Sequence, residues 1–199
     1  MPKNRYDRTH QEKATEILAI AERLFREQGY ARTTVAMIAR EAGIATNVVH
    51  WYFATKDDLF VAVLDSLQSA DFEYAQRQVA RSTGLNRSHD LAKVLTEFVW
   101  RRLDRTELIT TLHERAHQSP AIAEFHERAH RRYEEGLELA LHEYAVPAPE
   151  RKMIVDTLIS AIEGLVMHKA SKRDAKRMMS FLADRLLGPL ERVDQHTGE

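Results

Sequence analysis

Residues 33–56 read TTVAMIAREAGIATNVVHWYFATK, and their spacing decides the fold. The stretch divides into a short helix with Val35, Ile38 and Ala39 inward, a tight turn at Ala42-Gly43-Ile44, and a second short helix running into Phe53. Two short helices joined by a glycine-containing turn make a helix-turn-helix, whose second helix is free to enter a DNA major groove. With Ala45 at the origin and about 100° per residue, Val48, Val49, Tyr52 and Phe53 gather on one side of that helix. Thr46, Asn47, His50 and Trp51 fall on the other. A large indole on a polar face needs a partner. A major groove supplies one, because Asn hydrogen-bonds base edges and an aromatic ring packs on a thymine methyl.

Upstream, Gln11 to Gln28 is amphipathic, with Ala14, Ile17, Leu18, Ala21, Leu24 and Phe25 at helical spacing. Thr9 is the expected N-cap, completed as a capping box by Glu12, and Gly29 is the expected stop. Tyr30 reads as core, and Thr33 or Thr34 caps the next helix. Lys3, Arg5 and Arg8 form either a solvated tail or an arm reaching a phosphate or the minor groove. Downstream, Thr55 caps a long helix whose first turn carries Asp57 and Asp58, which favour the positive dipole end. Lys56 shares that turn, where a phosphate would meet both free N–H groups and the ammonium. This helix runs through Leu59, Phe60, Val63, Leu64 and Leu67 towards Ala80 and closes at Ser82-Thr83-Gly84. The boundaries drawn are 1–56 for a DNA-binding domain and 57–199 for a ligand-binding and dimerisation domain, with 57–82 as the linking helix.

Beyond that boundary the pattern stays helical. Leu91 to Leu103, Thr106 to Gln118, Ala121 to Tyr144, Glu150 to Lys169 and Ala175 to Leu187 are the expected helices. Ser119-Pro120 marks a restart, Pro147-Ala148-Pro149 ends one helix, and Gly188-Pro189 stops the last before a polar tail from Asp194. Glu150 to Lys169 carries two apolar stripes, one of Ile154, Leu158, Ala161 and Leu165, the other of Val155, Ile159, Ile162 and Val166. A helix apolar over that much of its circumference is covered on two sides, once by its own core and once by a partner chain. With Met178, Met179, Leu182 and Leu186 of the last helix, the first stripe predicts a four-helix interface in a symmetric homodimer. The fold class is all-α: a three-helix head and a six-helix body.

Composition agrees. The chain has 199 residues, 44% hydrophobic and 30% charged, with a net charge of −1. Residues 1–56 hold nine basic against six acidic residues, a mildly basic head on an acidic remainder. There is no cysteine, hence no disulfide, thiolate metal site or thiol redox sensor. No apolar run is long enough for a membrane span and no signal-peptide pattern opens the chain, so a cytoplasmic protein with no membrane partner is expected.

These residues resemble the tetracycline-repressor-like (TetR) family of bacterial regulators. The resemblance is carried by Phe25 to Tyr30, Thr33-Thr34-Val35, Ile38-Ala39, Ala42-Gly43-Ile44, Val49-His50-Trp51-Tyr52-Phe53, Lys56 and Leu59. It implies that Thr34, His50, Tyr52 and Lys56 lie near phosphates and that Thr46, Asn47 and Trp51 lie near base edges. Thr33 and Val48 complete the DNA-facing candidates. Three positions depart from the family pattern. Ala45 stands where Ser or Thr is usual, so the recognition helix lacks a cap. His50 replaces a Tyr, and Val48 a small or hydroxyl residue. Because imidazolium donates two hydrogen bonds and neutral imidazole one, His50 would make binding pH-sensitive. The resemblance further implies a ligand cavity in the body; residue type and helix position nominate Phe98, Trp100, Leu103 and His113, with His117, Phe125, Tyr133 and Met167. The implied protein is a homodimeric repressor, not an enzyme and without a cofactor, released from a palindromic DNA operator by a small-molecule effector.

HERAH occurs twice, at His113–His117 and His126–His130, and each copy fits H-E-x-x-H, in which two histidines one turn apart hold zinc beside a Glu base. Neither copy has a third-ligand signature and no sheet accompanies them, so a metallopeptidase is disfavoured. Two alternatives stand beside a solvated charged face: metal sensing and pH sensing. His142 and His168 are separate.

Overall fold

Two positive-φ glycines set the two sharpest turns of the head. The computed structural model describes the backbone of residues 5–81, 87–141 and 146–186, and the side chains of 10–78, 90–141 and 146–186. The first helix, α1 (Arg5–Gln28), ends at Gly29, whose φ of 81° lies in the left-handed region that favours glycine. The second, α2 (Val35–Glu41), starts on Thr34, whose hydroxyl accepts the Met37 N–H at 3.2 Å. It ends at Gly43, φ 64°, where Ile44 N–H bonds Ala39 O at 3.0 Å and Gly43 N–H bonds Arg40 O at 3.3 Å. That pair of bonds is a Schellman motif, and Lys13 of α1 adds a donor to Ala42 O at 3.2 Å. Helix α3 (Thr46–Tyr52) follows with Ala45 at its N-cap and no side-chain bond there.

Thr55 and Asp58 form a reciprocal capping box, Asp58 N–H to Thr55 Oγ1 at 3.0 Å and Thr55 N–H to Asp58 Oδ2 at 2.9 Å. It opens α4 (Lys56–Arg81), followed by α5 (Arg87–Leu103), α6 (Thr106–Ala116), α7 (Pro120–Leu141), α8 (Ala148–Met167) and α9 (Lys172–Leu186). Among the described residues these nine helices are the only regular elements. None is long and apolar enough to cross a membrane.

Several boundaries differ from expectation. Helix α1 is already formed at Arg5, so Thr9 lies inside it and is not its cap. Helix α6 stops at Ala116, before His117. Pro147 and Pro149 start α8, Pro147 as N-cap, because proline's missing N–H costs nothing in a first turn. The expected breaks at 82–84 and 188–189, the end at Tyr144, the tail from Asp194, His142, and the side chains of Lys3, Arg5 and Arg8 lie outside the described residues.

The chain forms two compact units, Met1–Gln68 with Glu107–His126, and Ser69–Thr106 with Glu127–Glu199. This division by packing cuts α4 and returns α6 and the start of α7 to the head's unit, whereas the sequence places a functional boundary at 56/57. The first unit buries Ile17, Leu24, Phe25, Ile38, Val49, Leu59 and Phe60. Rings of Phe25, Tyr30 and Phe60 meet at 5.0–5.6 Å between centroids. The second unit is built on α5 packed along α9 and α8, with Leu91, Leu95, Val99, Leu158, Ile162, Ala175 and Met179 at its centre.

This placement revises the dimer stripe. Ile154, Leu158, Leu165 and Met179 are buried in the second unit's own core, and Ala161, Leu182 and Leu186 pack half-buried against it. Of the eight residues expected at the interface only Met178 is exposed. The apolar side chains left in solvent are instead Met153, Met167 and Phe181, with Leu139 on α7. Both stripes of α8 face inward, and its outward face runs Met153, Thr157, Ser160, Gly164, Met167.

The two turn chemistries of the head predict opposite responses. Gly43→Ala should lower the unfolding free energy by about 1–2 kcal/mol, the cost of forcing a Cβ into the left-handed region. Ala45→Ser should raise it by about 0.5–1 kcal/mol through a new cap. Urea unfolding followed by circular dichroism reads both.

Candidate nucleic-acid interface

The candidate interface begins with how α3 is held. Val49 is fully buried and is its anchor, while Thr46, Asn47, Val48, His50 and Trp51 are exposed. Trp51 exposes 61% of its surface, which no core-packing role would leave in water. Val48, on the apolar side of the wheel, lies at 36% exposure and so joins the outward face. Helix α3 is only seven residues long, and one buried valine suffices to orient it.

Trp51 is not loose. The His10 ring of α1 meets it edge-on with centroids 4.8 Å apart, and meets Tyr52 at 4.5 Å. Trp51 and Tyr52 pack against each other at 5.0 Å. His10 escaped the sequence reading because it precedes the apolar periodicity of α1. The only available signal was an imidazole near the start of a helix that reaches α3.

His50 is exposed, and its Nδ1 lies 3.0 Å from Ala54 O. A carbonyl oxygen only accepts, so this bond requires the proton on Nδ1. In the neutral ring Nε2 then carries a lone pair and repels a phosphate oxygen. Only the imidazolium can donate there.

Two residues expected at DNA take structural roles. Thr33 is fully buried and its hydroxyl is shared between Leu24 O at 3.1 Å and Gly29 O at 2.9 Å, so it cannot reach a groove. Thr34, not Thr33, is the cap. Lys56 donates to Tyr30 O and Thr33 O, both at 3.0 Å, and stands over the Tyr30 ring at 4.1 Å. Burial first, then the Arg115 charge, lower the Lys56 pKa, opposed by Asp57. Two of its three ammonium hydrogens are engaged, leaving one for a phosphate.

Lys56 borders a hub absent from the sequence reading. Asp57 accepts from the Tyr30 hydroxyl, from Arg115 Nη2 at 3.0 and 3.2 Å, and from the Ser119 hydroxyl. Burial works against the Asp57 charge, but these three donors outweigh it and hold the carboxyl below the usual range. Burial and the Asp57 carboxylate push the Tyr30 hydroxyl pKa up. The start of α4, the α1–α2 connection, the end of α6 and the cap of α7 thus meet at one carboxylate.

The nominated ligand residues divide between the two units. Phe98, Trp100, Leu103 and Tyr133 pack half-buried on the second unit's core. Phe125 is buried and His113 half-buried within the first unit, and His117 and Met167 are exposed, so those two are not cavity lining. The HERAH copies also part from the zinc pattern. His117 lies beyond the end of α6, so the first copy is not a one-turn helical pair. The His113 and His126 rings meet at 4.8 Å, while His130 lies 3.5 Å from Glu134 and 3.8 Å from Glu163. Among the described residues no three His, Cys, Asp or Glu side chains are gathered as a metal site.

Residues 17–63 match the family model of bacterial regulatory proteins of the tetR family. The HTH-type transcriptional regulator HbdR of Aromatoleum is 36% identical over 69 residues, 35% of this chain and 30% of that protein. The regulator TtgR of Pseudomonas putida is 46% identical over 57 residues, 29% of this chain and 27% of that one. The chain thus matches less than a third of the length of each. The nucleoid occlusion factor SlmA of Mannheimia succiniciproducens is 25% identical over 166 residues, 80% of this chain and 77% of that one. A TetR transcription regulator from Haloarcula marismortui shares the fold at a TM-score of 0.73 and 22% identity, covering 88% of this chain and 98% of that one.

Two outcomes follow from the geometry. Tyr30→Phe removes one donor from Asp57 and should cost about 1.5–3 kcal/mol at pH 7. Because the folded carboxyl is depressed, its stabilisation is present above the unfolded value of about 3.9 and lost as pH falls through the folded one, so the gap between wild type and variant should narrow below pH about 4. Equal gaps at pH 7 and pH 3 in urea titrations would contradict the hub. Separately, His10→Ala should reduce discrimination between a specific and a scrambled duplex in fluorescence anisotropy, and His10→Phe, which restores the ring, should recover it.

Proposed function

We propose that this chain is a member of the tetR family of bacterial regulatory proteins and acts as a cytoplasmic, homodimeric repressor that binds palindromic operator DNA through α3 and is released by a small-molecule effector. The observation that carries the reading is Trp51, 61% exposed on a helix whose back is anchored by the buried Val49. Around it Thr46, Asn47 and Val48 form the base-facing surface, and Thr34, His50, Tyr52 and the remaining hydrogen of Lys56 address phosphates. Two such helices related by a two-fold axis would enter successive major grooves about 34–36 Å apart.

The dimer contact assigned here is the outward face of α8 with Met178 and Phe181 of α9. A Cβ built on Gly164 meets nothing within 4 Å, so its own chain does not require a glycine there. Thr157, Ser160 and Gly164 make a flat strip between Met153 and Met167 on which a second copy can lie closely. Release follows if an effector in the body favours a head spacing that mismatches the grooves, by as much as its affinities for the two spacings differ.

A second reading comes from the match to a nucleoid occlusion factor, which spans more of this chain than the matches to HbdR and TtgR. On that reading the chain acts as a nucleoid occlusion factor.

A selected palindrome tests the first reading. Affinity should fall steeply with salt through phosphate contacts. Trp51→Ala should weaken the palindrome and leave random duplex unchanged, whereas Lys56→Ala should weaken both and also lower the thermal midpoint. Phe181→Glu should yield monomers by sedimentation. A protein that still prefers the palindrome with Trp51 and Asn47 both changed to Ala would remove α3 as the reading element.

A further inference from the structure

Of four arginines in the second unit, Arg101, Arg102, Arg105 and Arg132, two are paired with carboxylates. Asp71 of α4 is buried, its side chain 3% exposed, with Arg105 at 2.7 Å and Arg101 at 3.7 Å. Burial raises the Asp71 pKa, opposed by Arg105, Arg101 and Arg102 in that order. Arg101 is further engaged by Glu97 at 3.5 Å. Those two carboxylates are therefore taken up by Arg101 and Arg105.

Arg102 is left over. Its Nη1 donates to the Tyr133 hydroxyl at 3.0 Å, and its guanidinium lies over the Tyr133 and Phe98 rings at 5.1 and 5.6 Å. Tyr133 in turn stacks on Phe72 at 5.5 Å, and Arg132 lies over Phe72 at 4.5 Å with only the Ser69 hydroxyl, at 3.3 Å, as its hydrogen-bond acceptor. Neither Arg102 nor Arg132 forms an ion pair with a described carboxylate. The buried Nε of Arg102 and of Arg101, and Oδ1 of Asp71, have no hydrogen-bond partner among the described residues. A half-buried guanidinium held by a neutral hydroxyl and two rings is desolvated with no carboxylate in direct contact, Asp71 acting on it only at longer range.

We propose that Arg102 and Tyr133 anchor an anion site in this unit, and that its ligand is an organic carboxylate carrying a flat aromatic body. The guanidinium supplies a planar fork for the carboxylate, and the Phe98 and Tyr133 rings beside it supply aromatic surface for the ring. A cationic ligand is excluded by charge, because the face between Phe98 and Tyr133 is already occupied by a cation. A bare phosphate would satisfy the charge but leave the rings unused. The effector role of such a ligand rests on the proposed repressor; its binding does not.

Benzoate, benzamide and benzyltrimethylammonium place a negative, a neutral and a positive head on one ring, and inorganic phosphate is the headgroup alone. Calorimetric titration of the full chain without DNA should show benzoate binding about tenfold or more tighter than the other three. Arg102→Met should weaken benzoate about tenfold with the circular dichroism spectrum retained. Tyr133→Phe, which keeps the ring and removes the hydroxyl, should weaken it several-fold and serves if the first variant does not fold. Benzamide, the ammonium or phosphate binding as tightly as benzoate, or benzoate indifferent to both substitutions, overturns the site. Operator release is read separately. Benzoate binding through Arg102 with operator affinity unchanged upholds the site and removes the release reading. Release by another compound while benzoate fails to bind does the reverse.

Discussion

The head depends on the Asp57 carboxylate. Taken out of water, a carboxylate is costly unless its lone pairs are met, and Asp57 is met by a phenol, a guanidinium and a hydroxyl from three separate segments. With Lys56 bonded to the Tyr30 and Thr33 carbonyls one residue earlier, the start of α4 is tied at consecutive positions. The turn after α1, Thr33 just before the cap of α2, and the start of α4 therefore share one set of polar bonds, and α3 is carried between them. A recognition helix of seven residues has too little propensity of its own to hold position, so its order is inherited from these neighbours.

What the sequence makes legible is whatever repeats at helical spacing or obeys local capping rules. Ile17, Leu24 and Phe25, the Gly43 turn, the Thr55 cap and the exposed Trp51 all follow from patterns within a few residues. The Asp57 hub does not, because Tyr30, Arg115 and Ser119 are far apart in sequence and each has an ordinary local reading. Asp57 looks like a dipole residue, Ser119 like a cap and Tyr30 like core; each is that and also a ligand of the same charge. Thr33 and Thr34 show the limit at single-residue scale. Adjacent and chemically identical, one caps α2 and the other is sealed against the Leu24 and Gly29 carbonyls.

The second unit was harder to read for a different reason. Helix α8 is apolar on most of its circumference, and periodicity alone cannot say which stripe faces a core and which a partner. Both stripes turned out to be inward, and the outward face is a row of small residues between two methionines, with no hydrophobic signal to mark it. The Arg102 cluster was equally invisible. Its cation belongs to α5, its rings to α4, α5 and α7, and a sequence rich in arginine gives no reason to prefer one guanidinium over another.

The chain returns to its first unit after leaving it, and this has a consequence for synthesis. Asp57 and Arg115 are 58 positions apart, so the head's central carboxylate stays unpaired on the ribosome until α6 has emerged. Closing that separation is an entropic cost met before the bond forms, which places the finished head late in folding although it is the first part made. A fragment ending at Gln68 would keep the helix-turn-helix yet lack Arg115 and Ser119, leaving Asp57 with the Tyr30 hydroxyl alone of its three donors. The polar closure of the head is therefore acquired only after the chain has run well past the helix-turn-helix.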